Sequence, residues 1–173
     1  MMGRVNARGI SSIEAAVGAA IVGSVLAVAV PSFVRELHAS RLTEPVSGLE
    51  RLGAAAVAYA QGRAAGEAFP ASAPLTPSVV PRGERVVDPP GTWDAPTWRA
   101  LGFQAAAEGE PHAFAFGFDS VLTPSRGSFV AHAHGDLDGD GVTSTFEVRG
   151  HTVDGEPTGA ALEPGMYVEN EVE

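Results

Sequence analysis

The hydrophobic pattern changes character three times along the chain. From Ile10 to Val34 apolar residues run almost unbroken, and Glu14 is the only charge. As a helix, these roughly 25 residues span roughly 37 Å, enough to cross a bilayer. The pattern then becomes amphipathic. Phe33, Leu37, Leu42, Val46, Leu49, Leu52, Ala56 and Tyr59 recur at three- to five-residue steps against Arg35, Glu36, Arg41, Glu44, Glu50 and Arg51. That period predicts one helix from about Ser11 to about Gln61, its second half laying an apolar face on a globular head. Pro31 and Pro45 each remove an intrahelical hydrogen bond. A kink is expected at the first and a kink or restart at the second.

Six prolines (Pro70, Pro74, Pro77, Pro81, Pro89, Pro90) then fall among Ala, Ser and Gly, which predicts a long irregular connection. Trp93 to Phe103 reads as a short helical turn, with Asp94 as its cap, Pro96 in its first turn and Gly102 at its end. Trp93, Trp98, Leu101 and Phe103 read as a plug over the core rather than a binding platform. Period-two segments at Ala113–Phe118, Ser128–His134 and Thr143–Val148 predict an antiparallel sheet of three strands. The stretch after Pro164 offers a fourth, at the edge. His151 to Ala160 is too Gly-rich and polar to assign. The expected fold class is α+β, a long N-terminal helix packed on three or four strands.

Composition narrows the function. The chain has 173 residues and a net charge of −10, and all of its 11 basic side chains are Arg. An acidic surface disfavours nucleic acid and anionic membrane. Cysteine is absent, which removes disulfides, thiol catalysis and thiolate metal sites. No nucleophile elbow, phosphate loop or pair of catalytic carboxylates is legible, so no enzymatic activity is expected.

The N-terminus carries a processing pattern. Residues 1–9 hold Arg4 and Arg8 and no acid, which places them on the cytoplasmic side. Gly9 precedes Ile10, and Glu14 is the fifth residue counted from Ile10. An acid in lipid needs a partner. Gly18 and Gly23, with the alanines around them, would let other helices approach closely. This combination resembles the cleavage signal of type IV pilins and pilin-like proteins. Three further segments look like pilin-like proteins of deltaproteobacteria: Trp98 to Phe103, Phe129 to Gly141, and Tyr167 to Glu171.

The resemblance implies a prepilin peptidase cutting after Gly9 and methylating Ile10. It implies that Glu14 meets the N-terminal amine of its own or a neighbouring subunit, and that Pro31 occupies the family's proline position. It implies other pilin subunits as partners, an inner-membrane precursor, and then an extracellular filament, or a periplasmic one for a pseudopilin. The expected division is a leader (1–9), a membrane and polymerisation helix (10–34), an amphipathic half-helix (35–63), a Pro-rich loop (64–92) and a head (93–173). Cutting after Gly9 would leave nine basic against 21 acidic side chains. Two alternatives stay open: an uncut, membrane-tethered calcium-binding module, and a minor pilin or pseudopilin of a type II secretion system.

One stretch carries metal chemistry. Asp136 to Glu147 has the twelve-residue calcium-loop spacing. Asp136, Asp138 and Asp140 fill positions one, three and five. Gly141 is sixth, the Val142 carbonyl seventh, Ser144 ninth and Glu147 twelfth. Three carboxylates so close repel one another unless a cation lies between them. The flanks read as strand rather than helix, so Glu147 is free to face elsewhere. The expectation is a structural Ca2+ that pins the C-terminal hairpin where many pilins use a disulfide. The competing reading is an exposed Asp-Gly turn. His132 and His134 share one face of a strand, either as transition-metal ligands or as a solvent-facing strand edge.

Overall fold

The computed structural model describes residues 11–153 and 159–171, with the side chains of 33–41 outside that description. Gly9, Ile10 and the leader therefore lie outside the described residues, as do the side chains of Phe33, Arg35, Glu36, Leu37 and Arg41. The chain is α+β, with an N-terminal apolar helix and an antiparallel sheet. It divides into two compact units, residues 1–41 and 42–173.

Helix α1 runs Ser12–Ala60. It continues through Pro31 and Pro45, so the restart expected at Pro45 does not occur. In the first unit its residues Ser12–Ser32 form a 21-residue stretch of mean hydropathy 2.2, long and apolar enough to cross a membrane. In the second unit α1 buries one stripe: Pro45, Gly48, Leu49, Leu52, Gly53, Ala56 and Ala60. These are three- and four-residue steps, the period of one helix face. Pro45 lies fully inside that stripe, where packing compensates for the hydrogen bond it cannot donate.

Six strands are present among the described residues, not three or four. They are β1 (Ala73–Thr76), β2 (Phe114–Thr123), β3 (Arg126–Gly135), β4 (Ser144–Val153), β5 (Gly159–Leu162) and β6 (Tyr167–Glu169). The order is β1-β2-β3-β4-β5, and β6 also pairs with β4. β1 comes from the Pro-rich connection, and its Pro74 is tolerated because the strand is an edge. β5 falls partly in the stretch left unassigned. β4 extends to Val153 and gives it a partner, with Val153 opposite Gly159 and Gly150 opposite Leu162.

The core is built from large residues facing small ones. Phe114, Phe116 and Phe118 alternate along β2 and lie opposite Gly135, Ala133 and Ala131 of β3. A Cβ added at Gly135 would come within 2.5 Å of the Phe114 ring, and one at Gly48 of α1 within 2.5 Å of Phe116. Each ring fills the space its neighbour leaves, which lets helix and sheet approach closely.

Helix α2 (Pro96–Leu101) starts with Pro at its first position and ends at Gly102, whose φ of 58° is the left-handed conformation glycine supplies. Its cap position is Ala95, with no side-chain cap bond. Asp94 is not the cap and instead pairs with Arg99 at 3.1 Å. Trp98, Leu101 and Phe103 are buried. Phe103 meets Phe116 edge-on at 5.2 Å and Trp93 at 5.6 Å, and the Trp98 indole donates to Thr76 Oγ1 at 3.0 Å. This cluster is a plug in the core.

Glu44 is not on a solvent-facing side of α1. Its Oε1 accepts the backbone N–H groups of Ala113 (2.7 Å) and Phe114 (3.1 Å) at the start of β2. Its Oε2 accepts Arg85 at 2.9 Å.

Candidate functional site

Three places carry the candidate chemistry. The first is the start of α1. Ser11 and Glu14 form a capping box: the Glu14 carboxylate accepts the Ser11 N–H at 2.8 Å, and Ser11 Oγ accepts the Glu14 N–H at 3.2 Å. The Ser-x-x-Glu spacing is a helix-start signal legible in the sequence, and it gives Glu14 a local role at the start of α1. Ser24, the other polar group with a described bond inside this stretch, donates to Ala20 O at 2.8 Å. Apolar side chains face outward all round, from Ile13 (74% exposed) to Val28 (70%).

The second place is the loop between β3 and β4. Asp136, Asp138 and Asp140 bring one carboxylate oxygen each within 4.8 Å of one another. Two oxygens on one calcium, each bonded at about 2.3–2.6 Å, are at most about 5 Å apart, so the spacing fits. Asp136 is buried. Its Oδ1 accepts the Gly139 N–H at 2.8 Å and its Oδ2 the Gly141 N–H at 3.1 Å. Gly141 has a φ of 96°, so the turn at position six needs glycine there.

Asp138 and Asp140 each commit Oδ1 to a backbone N–H, of Asp140 (3.1 Å) and Val142 (2.7 Å). The Pro-rich connection returns to this loop. Gly83 N donates to Asp136 O at 2.7 Å, and Arg82 Nε lies 3.9 Å from Asp136 Oδ2. Nothing in the sequence around Arg82 signals that contact.

Two expected ligands are elsewhere. Ser144 is buried and donates to Gly135 O at 3.1 Å. Glu147 pairs with Arg149 at 2.8 Å, an interaction that holds the Arg149 pKa above its ordinary value, with the hydrogen bond as the first cause. The reason is periodicity. Both residues belong to β4, where positions three apart face opposite sides. In a helical hand the same spacing would turn Glu147 back to the ion. Val142 contributes its N–H to Asp140, and its side chain is exposed.

The third place is the outer face of the sheet. His132 and His134 do not lie on an edge, since β3 sits between β2 and β4. Their ring centres are 5.3 Å apart. His132 lies opposite Gly117 on β2 and Glu147 on β4. Its Nδ1 is 3.7 Å from Asp119 Oδ2. Burial first, then the neighbouring His134, hold its pKa below the ordinary imidazole value, while Asp119 and Glu147 pull the other way. His134 Nδ1 is 3.0 Å from Thr145 Oγ1.

Comparison of the chain with protein-family models, with curated proteins and with solved structures returned no match.

Proposed function

We propose that this chain is the structural subunit of a type IV pilus or pilus-like filament, cut after Gly9 and assembled through α1. One observation carries the reading: Ser12–Ser32 is helical, apolar and 0% buried. A surface so apolar requires lipid or other helices around it. The acid at the fifth position from Ile10 and the basic leader support the same reading. So does the continuation of this helix into the buried stripe of residues 45–60. Small residues at Gly18 and Gly23, where an added Cβ meets nothing within 4 Å, leave the helix smooth for close neighbours. The experiment is intact mass and N-terminal sequencing of the protein taken from cell envelopes. The expected product begins at Ile10 and carries one extra methyl group. A chain that keeps residues 1–9 would sink the filament reading and favour a tethered module.

Within this reading a structural Ca2+ belongs at Asp136, Asp138 and Asp140. The ion would offset two of the three carboxylate charges, with Arg82 beside Asp136 facing the third, and fix the β3–β4 loop. An extracellular-type site binds at about 10⁻⁴–10⁻³ M, so 10 mM Ca2+ should stabilise the chain by about 1.4–2.7 kcal/mol. The melting midpoint of the full chain in detergent should rise with Ca2+ and fall again with chelator. The double variant Asp138→Asn, Asp140→Asn should respond to neither. A wild-type midpoint unmoved by either addition would remove the ion from the reading.

A further inference from the structure

We propose that the outer face of the sheet carries a separate site for a divalent transition ion of the zinc or copper(II) class, held by the Nε2 atoms of His132 and His134. The two residues are two apart on β3 and therefore share a face. β3 is hydrogen-bonded on both sides, so its backbone cannot drift. Thr145 Oγ1, 3.0 Å from His134 Nδ1, orients that ring, and the carboxylate of Asp119 stands 3.7 Å from His132 Nδ1. Neither Nε2 has a hydrogen-bond partner among the described residues. For His134 this is the pattern of an imidazole ligand, one nitrogen positioned by a neighbour and the other left for the metal.

The spacing also fits. A metal about 2.0–2.1 Å from Nε2 lies about 3.2 Å from the ring centre. Two rings sharing that ion then stand about 4.5 Å apart at a right angle and about 5.2 Å apart at a tetrahedral angle. The ring centres here are 5.3 Å apart. Room for the His132 ring comes from Gly117, where any Cβ would collide with Nε2. Two negative groups flank the pair. Asp119 is 65% exposed and free to close on His132. Glu147 lies opposite His132 across the strand pair, its charge shared with Arg149 at 2.8 Å. Imidazole donors select zinc, copper or nickel over calcium and magnesium. The face is therefore chemically distinct from the all-oxygen Asp136 loop, and neither site depends on the other or on the filament reading.

The test is copper(II) titration of the full-length chain in detergent, without a histidine tag, followed by electron paramagnetic resonance. One ion per chain with two coordinated imidazole nitrogens is expected. The His132→Gln, His134→Gln double variant should bind at least about 100-fold more weakly. The Asp138→Asn, Asp140→Asn variant should bind as wild type. A wild-type spectrum with one or no imidazole nitrogen overturns the proposal, and it needs no variant to fold. So does a double histidine variant of wild-type affinity, or loss of copper in the aspartate variant.

Discussion

Residues Ser12–Ser32 and residues 42–60 belong to one helix, yet their apolar side chains are in opposite situations. In the first stretch Val, Ile, Leu and Ala face solvent on every side. In the second, the apolar residues narrow to one stripe, and that stripe is buried against Phe116 and the rest of the head's core. The second half meets its partner within its own chain. The first half has none among the described residues. A helix apolar all round suits a membrane span or the core of a larger assembly, the two settings that the proposed filament precursor would occupy in turn.

The sharpest way to break this comparison is to make the same cut in both halves. Leu52 is 0% exposed and Val22 57%. Leu52→Ala should destabilise the full chain by about 2–5 kcal/mol, as deletion of a buried leucine side chain does. Val22→Ala should leave the unfolding midpoint in detergent where it was. Denaturant unfolding followed by tryptophan fluorescence reads this directly, because Trp93 and Trp98 lie in the head's core cluster. Equal losses from both substitutions would mean that Ser12–Ser32 is already packed in the isolated chain, and the contrast would fail.

The helix, its two regimes and the three central strands were legible because each repeats a simple period over many residues. Period two found β2 at Phe114, Phe116 and Phe118. It stopped at Phe118, whereas the strand continues through Asp119, exposed on the outer face, and Ser120, whose hydroxyl donates to Pro70 O on the other. β1 and β5 were not legible for a different reason. Four residues such as Ala73–Thr76 or Gly159–Leu162 carry no period of their own, and they become strands only because a longer neighbour offers a free edge. The candidate ion loop divided the same way. The three aspartates are gathered by local turn geometry, which short-range spacing encodes. The roles of Ser144 and Glu147 depend on whether the chain leaves the loop as helix or strand, which the twelve-residue spacing does not specify. Arg82 reaches Asp136 from more than fifty positions away, and no local signal encodes such a contact.

Glu14 and Glu44 carry the comparison down to single side chains. Both accept backbone N–H groups, but Glu14 does so from Ser11, three residues away, and Glu44 from Ala113 and Phe114 across the fold. The first bond orders one helix end; the second joins helix to sheet. Glu44→Ala should therefore cost about 2–3 kcal/mol, since two partly buried N–H groups lose a charged acceptor and Arg85, which keeps its bonds to Pro111 O, loses its ion-pair partner. Glu44→Gln keeps an acceptor and should cost less. Glu14→Ala should leave the same unfolding midpoint unmoved, and its effect should appear only as failure to enter filaments. A Glu44→Ala chain as stable as wild type would show that the buried stripe alone holds the helix on the sheet. Normal filament entry by Glu14→Ala would remove the acid from the assembly mechanism and leave it as a helix cap.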